Sequence, residues 1–222
     1  MSDVNGTTAM ATTAATLDVE GPLRTSHGGI ARHGFLVLAD ISGFTAFVTA
    51  TELEHGPPII AALLEAVIRH IAPPLEVQEI EGDAVFALGL HGTVVPPSSL
   101  FGVLHEGLAG FRDLQREMQR DDSCPCNACR SIGRLRLKII GHYGTFLRQT
   151  VGGRVQAAGK DVILAHCLLK NRVPRRQDYA LLTGSALRYM GVDPGRAGLV
   201  PHVERYEHFG DVECYVGELA PR

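Results

Sequence analysis

The chain is 222 residues long, with 45% hydrophobic and 20% charged residues, which excludes a disordered or fibrous protein and suits one domain with a sizeable core. Its 21 Lys and Arg stand against 24 Asp and Glu, a net charge of −3, so there is no basic face of the kind that grips a nucleic-acid backbone. Three of the five Cys crowd into Cys124, Cys126 and Cys129, which is not the spacing of a secreted disulfide scaffold.

In chain order, residues 1–30 are rich in Thr, Ala and Gly and lack both the basic start and the apolar run of a signal peptide. They read as a mobile leader, and residues 31–222 as the domain. No window of about 18 apolar residues occurs, so no membrane partner is expected, and the expected compartment is the cytoplasm. Phe35 to Ala39 reads as a buried strand that delivers Asp40 at its end. A turn over Ile41 to Thr45 follows, then the start of a helix at Ala46 to Thr51. Pro57 and Pro58 open a second helix, whose apolar positions Ile60, Leu63, Leu64, Val67, Ile68 and Ile71 keep helical spacing.

Leu75 to Ile80 and Ala84 to Leu88 read as a hairpin with Asp83 near its tip. Leu100 to Met118 is a long amphipathic helix with Leu104, Leu108, Phe111, Leu114 and Met118 on one face. The cysteine loop 121–130 comes next. Arg134 to Ile140 alternates as a half-buried strand that ends at His142 to Gly144, and Thr145 to Thr150 is expected to run back. Val162 to Leu169 is a short helix, Tyr179 to Leu182 a strand, Ser185 to Met190 a helical turn and Val212 to Val216 a last strand. This order predicts an α/β (α+β) sandwich, a mostly antiparallel sheet with helices on one face.

Asp40 and Asp83 lie at a strand end and a turn tip, beside Gly43 and Gly82. Carboxylates so placed suit a hard divalent cation such as Mg²⁺, and two of them can hold one or two ions against a triphosphate. On spacing alone they read more readily as turn-forming residues.

The wording around them is more specific. Ala39-Asp-Ile-Ser-Gly-Phe-Thr45 resembles the strand-and-turn signature of the class III nucleotidyl cyclases, the adenylate and guanylate cyclase family. Glu79-Ile-Glu-Gly-Asp-Ala-Val-Phe-Ala87 resembles that family's second metal motif. Leu135 to Gly144 is similar to its Ile-His-x-Gly strand, Gly159 to Ala165 to its Gly-x-x-Val-Asn-x-Ala helix start, and Gly210 to Tyr215 to its closing strand. The resemblance spans residues 34–217 in the expected order. It implies a ferredoxin-like βαββαβ core that works as a head-to-tail homodimer on a nucleoside triphosphate, GTP or ATP. It implies two Mg²⁺ or Mn²⁺ ions on Asp40, Asp83 and the Ile41 carbonyl, with the backbone of Ser42, Gly43, Phe44 and Thr45 cradling the phosphates. At the base-selecting position guanylate cyclases carry Glu and adenylate cyclases Lys, and here it is Glu79, with the second such position near Gln156.

The chain also departs from that pattern. Where catalytic members carry an Asn and, four residues later, an Arg, this chain has Ile163 and Cys167, neither of which replaces an amide or a guanidinium fork. The late phosphate-gripping Lys is missing from Glu207-His208-Phe209. The expected function is therefore a divergent cyclase-like domain that binds a metal–nucleoside triphosphate with cyclase activity weak or lost. A non-catalytic regulatory or interaction module with a zinc-stabilised cysteine loop, and another metal-dependent phosphoryl-transfer or hydrolase reaction, are the rival readings.

Cys124, Cys126 and Cys129 form Cys-x-Cys-x-x-Cys, a set of soft ligands for one Zn²⁺. Cys167, His105, His142 or a partner-chain residue is the expected fourth ligand; redox sensing and plain reduced thiols are the alternatives. His142 reads as structural, and Lys170, Arg172, Arg175 and Arg176 as a solvated basic loop, with contact to phosphates the lesser alternative.

Overall fold

The structure is a computed structural model and describes residues 31–90, 95–121, 123–174 and 177–218. The proposed leader, Arg175 and Arg176 lie outside the described residues. Eight strands and six α-helices follow one another as β1 (Arg32–Ser42), α1 (Phe44–Ala50), α2 (Gly56–Ile71), β2 (Glu76–Glu81), β3 (Ala84–Leu90), α3 (Leu100–Arg120), α4 (Asn127–Ser131), β4 (Arg136–Val151), β5 (Arg154–Ala158), α5 (Lys160–Leu168), β6 (Tyr179–Thr183), α6 (Gly184–Met190), β7 (Val200–Tyr206) and β8 (Gly210–Gly217).

The sheet order is β2-β3-β1-β4-β6-β8-β7, with β5 paired to the far half of β4. Among the described residues only the β4–β6 pair is parallel. The mixed α+β architecture with a mostly antiparallel sheet is thus the one read from the sequence. Strand β1 sits in the middle, and its period of two splits its side chains between two cores. Phe35, Val37, Ala39 and Ile41 face a core built with α2, α3 and α6. Leu36 and Leu38 face a second, smaller core with Val162, Ala165 and Leu168 of α5. The large helices share one face, and α5 lies alone on the other.

Helix α3 earns its place through Leu104, Leu108 and Phe111, each fully buried. One turn further on, the buried Gln115 amide donates to the carbonyls of Ile132 and Leu135, both at 2.9 Å. Those bonds satisfy backbone groups of the turn that feeds β4.

Two strand expectations are corrected. The stretch Thr145 to Thr150 does not run back: β4 continues unbroken to Val151, and the returning strand is β5. The turn falls at Gly152 and Gly153, both at positive φ, as a two-residue hairpin demands. The second correction is β7, whose Pro201 and charged residues hide a strand that pairs along its whole length with β8. An edge position tolerates both features.

Candidate functional site

Strand β1 carries Asp40 on the α5 face of the sheet, level with Lys138 of β4 and Ala84 of β3. Asp83 follows Gly82 in the β2–β3 turn. Its carbonyl accepts from the Ile41 amide at 3.0 Å, which brings the turn up against the end of β1. Gly82 adopts φ +60 there and Gly43, the residue before α1, φ +93, conformations that a side chain would strain. Asp40, Ile41, Ser42 and Asp83 therefore come together as the sequence suggests.

The electrostatics of this corner are those of two carboxylates crowded with one cation. Lys138 is buried, and its Nζ lies 2.8 Å from Asp40 Oδ2 and donates to the Leu169 carbonyl at 2.8 Å. Burial first, and then the Asp40 charge, push the Asp83 carboxyl above its ordinary pKa, with Lys138 pulling the other way. Ser42 is buried, and its hydroxyl has no hydrogen-bond partner. The Ser42 hydroxyl is thus an unsatisfied polar group on the strand that carries Asp40. These oxygens suit a hard divalent ion, which would relieve the carboxylate repulsion and compete with Lys138 for Asp40. Ile41 is fully buried, so only its backbone carbonyl is on offer. The Phe44 ring packs beside Gly82, and Thr45 is exposed. Here it is backbone, rather than side chain, that a phosphate can use.

Glu79 is not beside this corner. It lines a cleft of about 630 Å³ between the β2–β3 ribbon and β5, together with Gln156, Arg154, Phe86, Val162 and His166. Glu79 and Gln156, far apart in sequence, thus line one space. Phe86 pairs with Leu38, two residues before Asp40 on the same face, so the cleft and the carboxylates lie on one side of the sheet. A forked pair from Arg148 to Glu76, at 2.7 and 3.2 Å, ties β4 to β2 at this end. Arg154 and His166 carry no motif signal; only the fold shows that they line the cleft.

The departures are equally visible. Ile163 is 57% exposed on α5, an apolar side chain where a polar one would be expected at no structural cost. Cys167 is half-buried, and its carbonyl accepts from the Tyr206 hydroxyl at 3.0 Å. Glu207 and His208 are exposed in the β7–β8 turn. His142 is buried, 3.0 Å from Thr183 Oγ1 and 3.4 Å from Asp161 Oδ1, and burial lowers its pKa. Its neighbour Ser185 donates to the Tyr143 carbonyl at 2.8 Å. This Asp-His-Ser array therefore ties α5, β4 and α6 together inside the protein and offers no exposed nucleophile.

The cysteine segment closes around a residue that the spacing did not suggest. His55, from the turn between α1 and α2, joins Cys124, Cys126 and Cys129, with all four ligating atoms within 4.8 Å of one another. None of His105, His142 and Cys167 belongs to this group. The signal was absent because His55 lies 69 residues before Cys124, and only the packing of α1 on α4 joins them. Within the group, the bond from the Cys129 amide and then the bond to His55 lower the Cys126 thiol to about 6, while its thiol neighbours push Cys129 up to about 12.

The fold is that of a class III nucleotidyl cyclase domain. The chain is similar to the guanylyl cyclase Cya2 at a TM-score of 0.66, with 13% identity over 85% of this chain and 93% of that one. It is similar to the adenylyl cyclase CyaB from P. aeruginosa at 0.59, with 15% identity over 85% and 95%. A third likeness, at 0.53, is to the guanylate cyclase domain of RhGC from Catenaria anguillulae in complex with GTP, with 16% identity over 84% and 97%. Within that fold the chain belongs to the DUF2652 family, described as a protein of unknown function, whose model matches residues 60–179. It is also 30% identical over 167 residues to the Mycobacterium tuberculosis protein described as "Uncharacterized protein Rv2561/Rv2562", covering 72% of this chain and 74% of that one.

Proposed function

We propose that this protein is a degenerate cyclase domain: it binds a divalent metal–nucleoside triphosphate and cyclises it weakly or not at all. The observation that carries the reading is the bond from the Ile41 amide to the Asp83 carbonyl, which brings the Asp83 turn against the end of β1, the strand that bears Asp40 and a Ser42 hydroxyl with no hydrogen-bond partner. Asp40, Asp83 and the Ile41 carbonyl are the proposed ligands of Mg²⁺ or Mn²⁺. The backbone over Ser42 to Thr45, where β1 turns into α1 through the positive φ of Gly43, is the proposed cradle for the phosphates. When bound, the metal supplies charge neutralisation of the phosphates. Glu79 accepts from a purine edge in the cleft it shares with Gln156, and its acceptor-only carboxylate favours the N1–H and N2–H₂ donors of guanine over adenine.

The loss of cyclisation rests on α5. Cyclisation is stabilisation of charge at the phosphates as the ribose 3′-oxygen attacks the α-phosphate and pyrophosphate leaves. Ile163 and Cys167 offer that charge nothing.

Calorimetric titration of the full chain with GTP and with ATP in Mn²⁺ tests the reading. GTP is expected to bind more tightly than ATP, with the order reversed in Glu79→Lys and both lost in Asp40→Ala and Asp83→Ala. Absence of binding by either nucleotide in the wild type overturns it.

A further inference from the structure

The nucleotide reading leaves the cysteine segment unused. Three thiols and one imidazole nitrogen meet there, half-buried, with His55 Nδ1 3.0 Å from Cys126 Sγ and 3.5 Å from Cys124 Sγ. In a tetrahedral site with zinc–sulfur and zinc–nitrogen bonds of about 2.3 and 2.0 Å, neighbouring ligand atoms stand roughly 3.5 to 3.8 Å apart. The observed spacings, with all four atoms inside 4.8 Å, need only small adjustments to meet that geometry. All five cysteines are free thiols, so no disulfide competes for these sulfurs. A redox couple needs two thiols and no imidazole. A ring nitrogen grouped with three sulfurs is what a metal site adds.

The surroundings also suit ligation. The Cys129 amide donates to Cys126 Sγ at 3.4 Å, so this sulfur is already held as an acceptor, which favours thiolate. Glu52, three residues before His55, accepts from the amides of Asn127 and Ala128 at 3.0 and 3.2 Å. One short turn thus supplies both a ligand and a clamp for the knuckle that bears two of the cysteines. Such outer partners orient the ligands of a metal site. Ala128, between those two cysteines, is fully buried in the main core.

We propose that His55, Cys124, Cys126 and Cys129 hold a single zinc ion that pins the α1–α2 turn against α4. Four protein ligands leave no open position, so the ion is structural rather than catalytic. Soft sulfur ligands with one imidazole select zinc over the hard ions suited to the carboxylate corner. Binding releases to solvent whatever protons the four ligands still hold, and the site of three thiolates, one neutral imidazole and Zn²⁺ carries a single negative charge. The ion acts on the element that follows the Ser42–Thr45 backbone, since α1 packs on both α2 and α4.

The test is elemental analysis of the purified full chain after exhaustive dialysis against a weak chelator. A zinc-to-chain ratio near one is expected, falling to near zero in His55→Asn and in Cys126→Ser. A wild-type ratio near zero overturns the site, and an undiminished ratio in His55→Asn overturns the fourth ligand. Should either variant fail to fold, cobalt replacement in the wild type decides: intense tetrahedral ligand-field bands with thiolate charge transfer are expected, and a pale octahedral spectrum overturns the assignment. None of these readouts involves a nucleotide, so a chain that holds zinc and binds no nucleotide sinks the preceding proposal alone.

Discussion

Lys138 and Asp83 define the chemistry of the carboxylate corner between them. The ammonium gives Asp40 a resident counter-charge at 2.8 Å, while Asp83 has none at that range and is pushed toward its neutral form by burial and by Asp40. A carboxyl whose folded pKa is raised above its unfolded value opposes folding once it ionises. That cost is absent at low pH and grows as pH rises from the unfolded pKa through the folded one. Asp83→Asn is therefore expected to leave the metal-free protein as stable as the wild type or more so at neutral pH. The difference should fade below the ordinary carboxylate range, and the Mn²⁺-induced rise in Tm should be lost. Thermal melts across pH, with and without Mn²⁺, check both. A neutral-pH loss of stability in the metal-free variant would contradict the account of Asp83.

Among the elements, α5 carries the residues on which the loss of cyclisation is proposed. Ile163 sits exposed and Cys167 half-buried on one short helix, so polar residues fit at the first without repacking. The double substitution Ile163→Asn with Cys167→Arg is expected to raise cyclic nucleotide formation above the wild-type level in Mn²⁺. No gain in a folded variant would mean that the lost step lies elsewhere. Element boundaries were legible wherever period and punctuation agreed, as in α2 between its prolines and α3 with its apolar face. They failed where the turn chemistry was misplaced: Gly144 was taken as a stop, whereas Gly152 and Gly153 hold the positive φ. Strand β7 failed because an edge strand need not alternate cleanly. Of the site, Asp40, Asp83 and the three cysteines were readable because each lies within a short motif. His55, Glu52, Arg154, His166 and Lys138 were not, since each acquires its partner only through strand register or helix packing across long stretches of chain.

At the scale of the whole molecule, one twisted sheet supports three separate features. The carboxylate corner and the Glu79–Gln156 cleft share the α5 face, and the His-Cys cluster sits beyond the opposite core, behind α1 and α4. Among the described residues no helix is long and apolar enough to cross a membrane. The net charge of −3 is compatible with a phosphate ligand, because a bound cation and backbone amides can neutralise one small nucleotide where a duplex would need a basic face. The account's central claim is that binding has outlived turnover. It is tested most directly by incubating the full chain with Mn²⁺ and saturating GTP, then quantifying retained nucleotide and cyclic product in the same sample. The account predicts Mn²⁺-dependent retention of GTP that Asp40→Ala abolishes, with cyclic product at background. Robust cyclic nucleotide formation that Asp40→Ala removes would contradict it, as would a wild-type protein that retains no nucleotide at all.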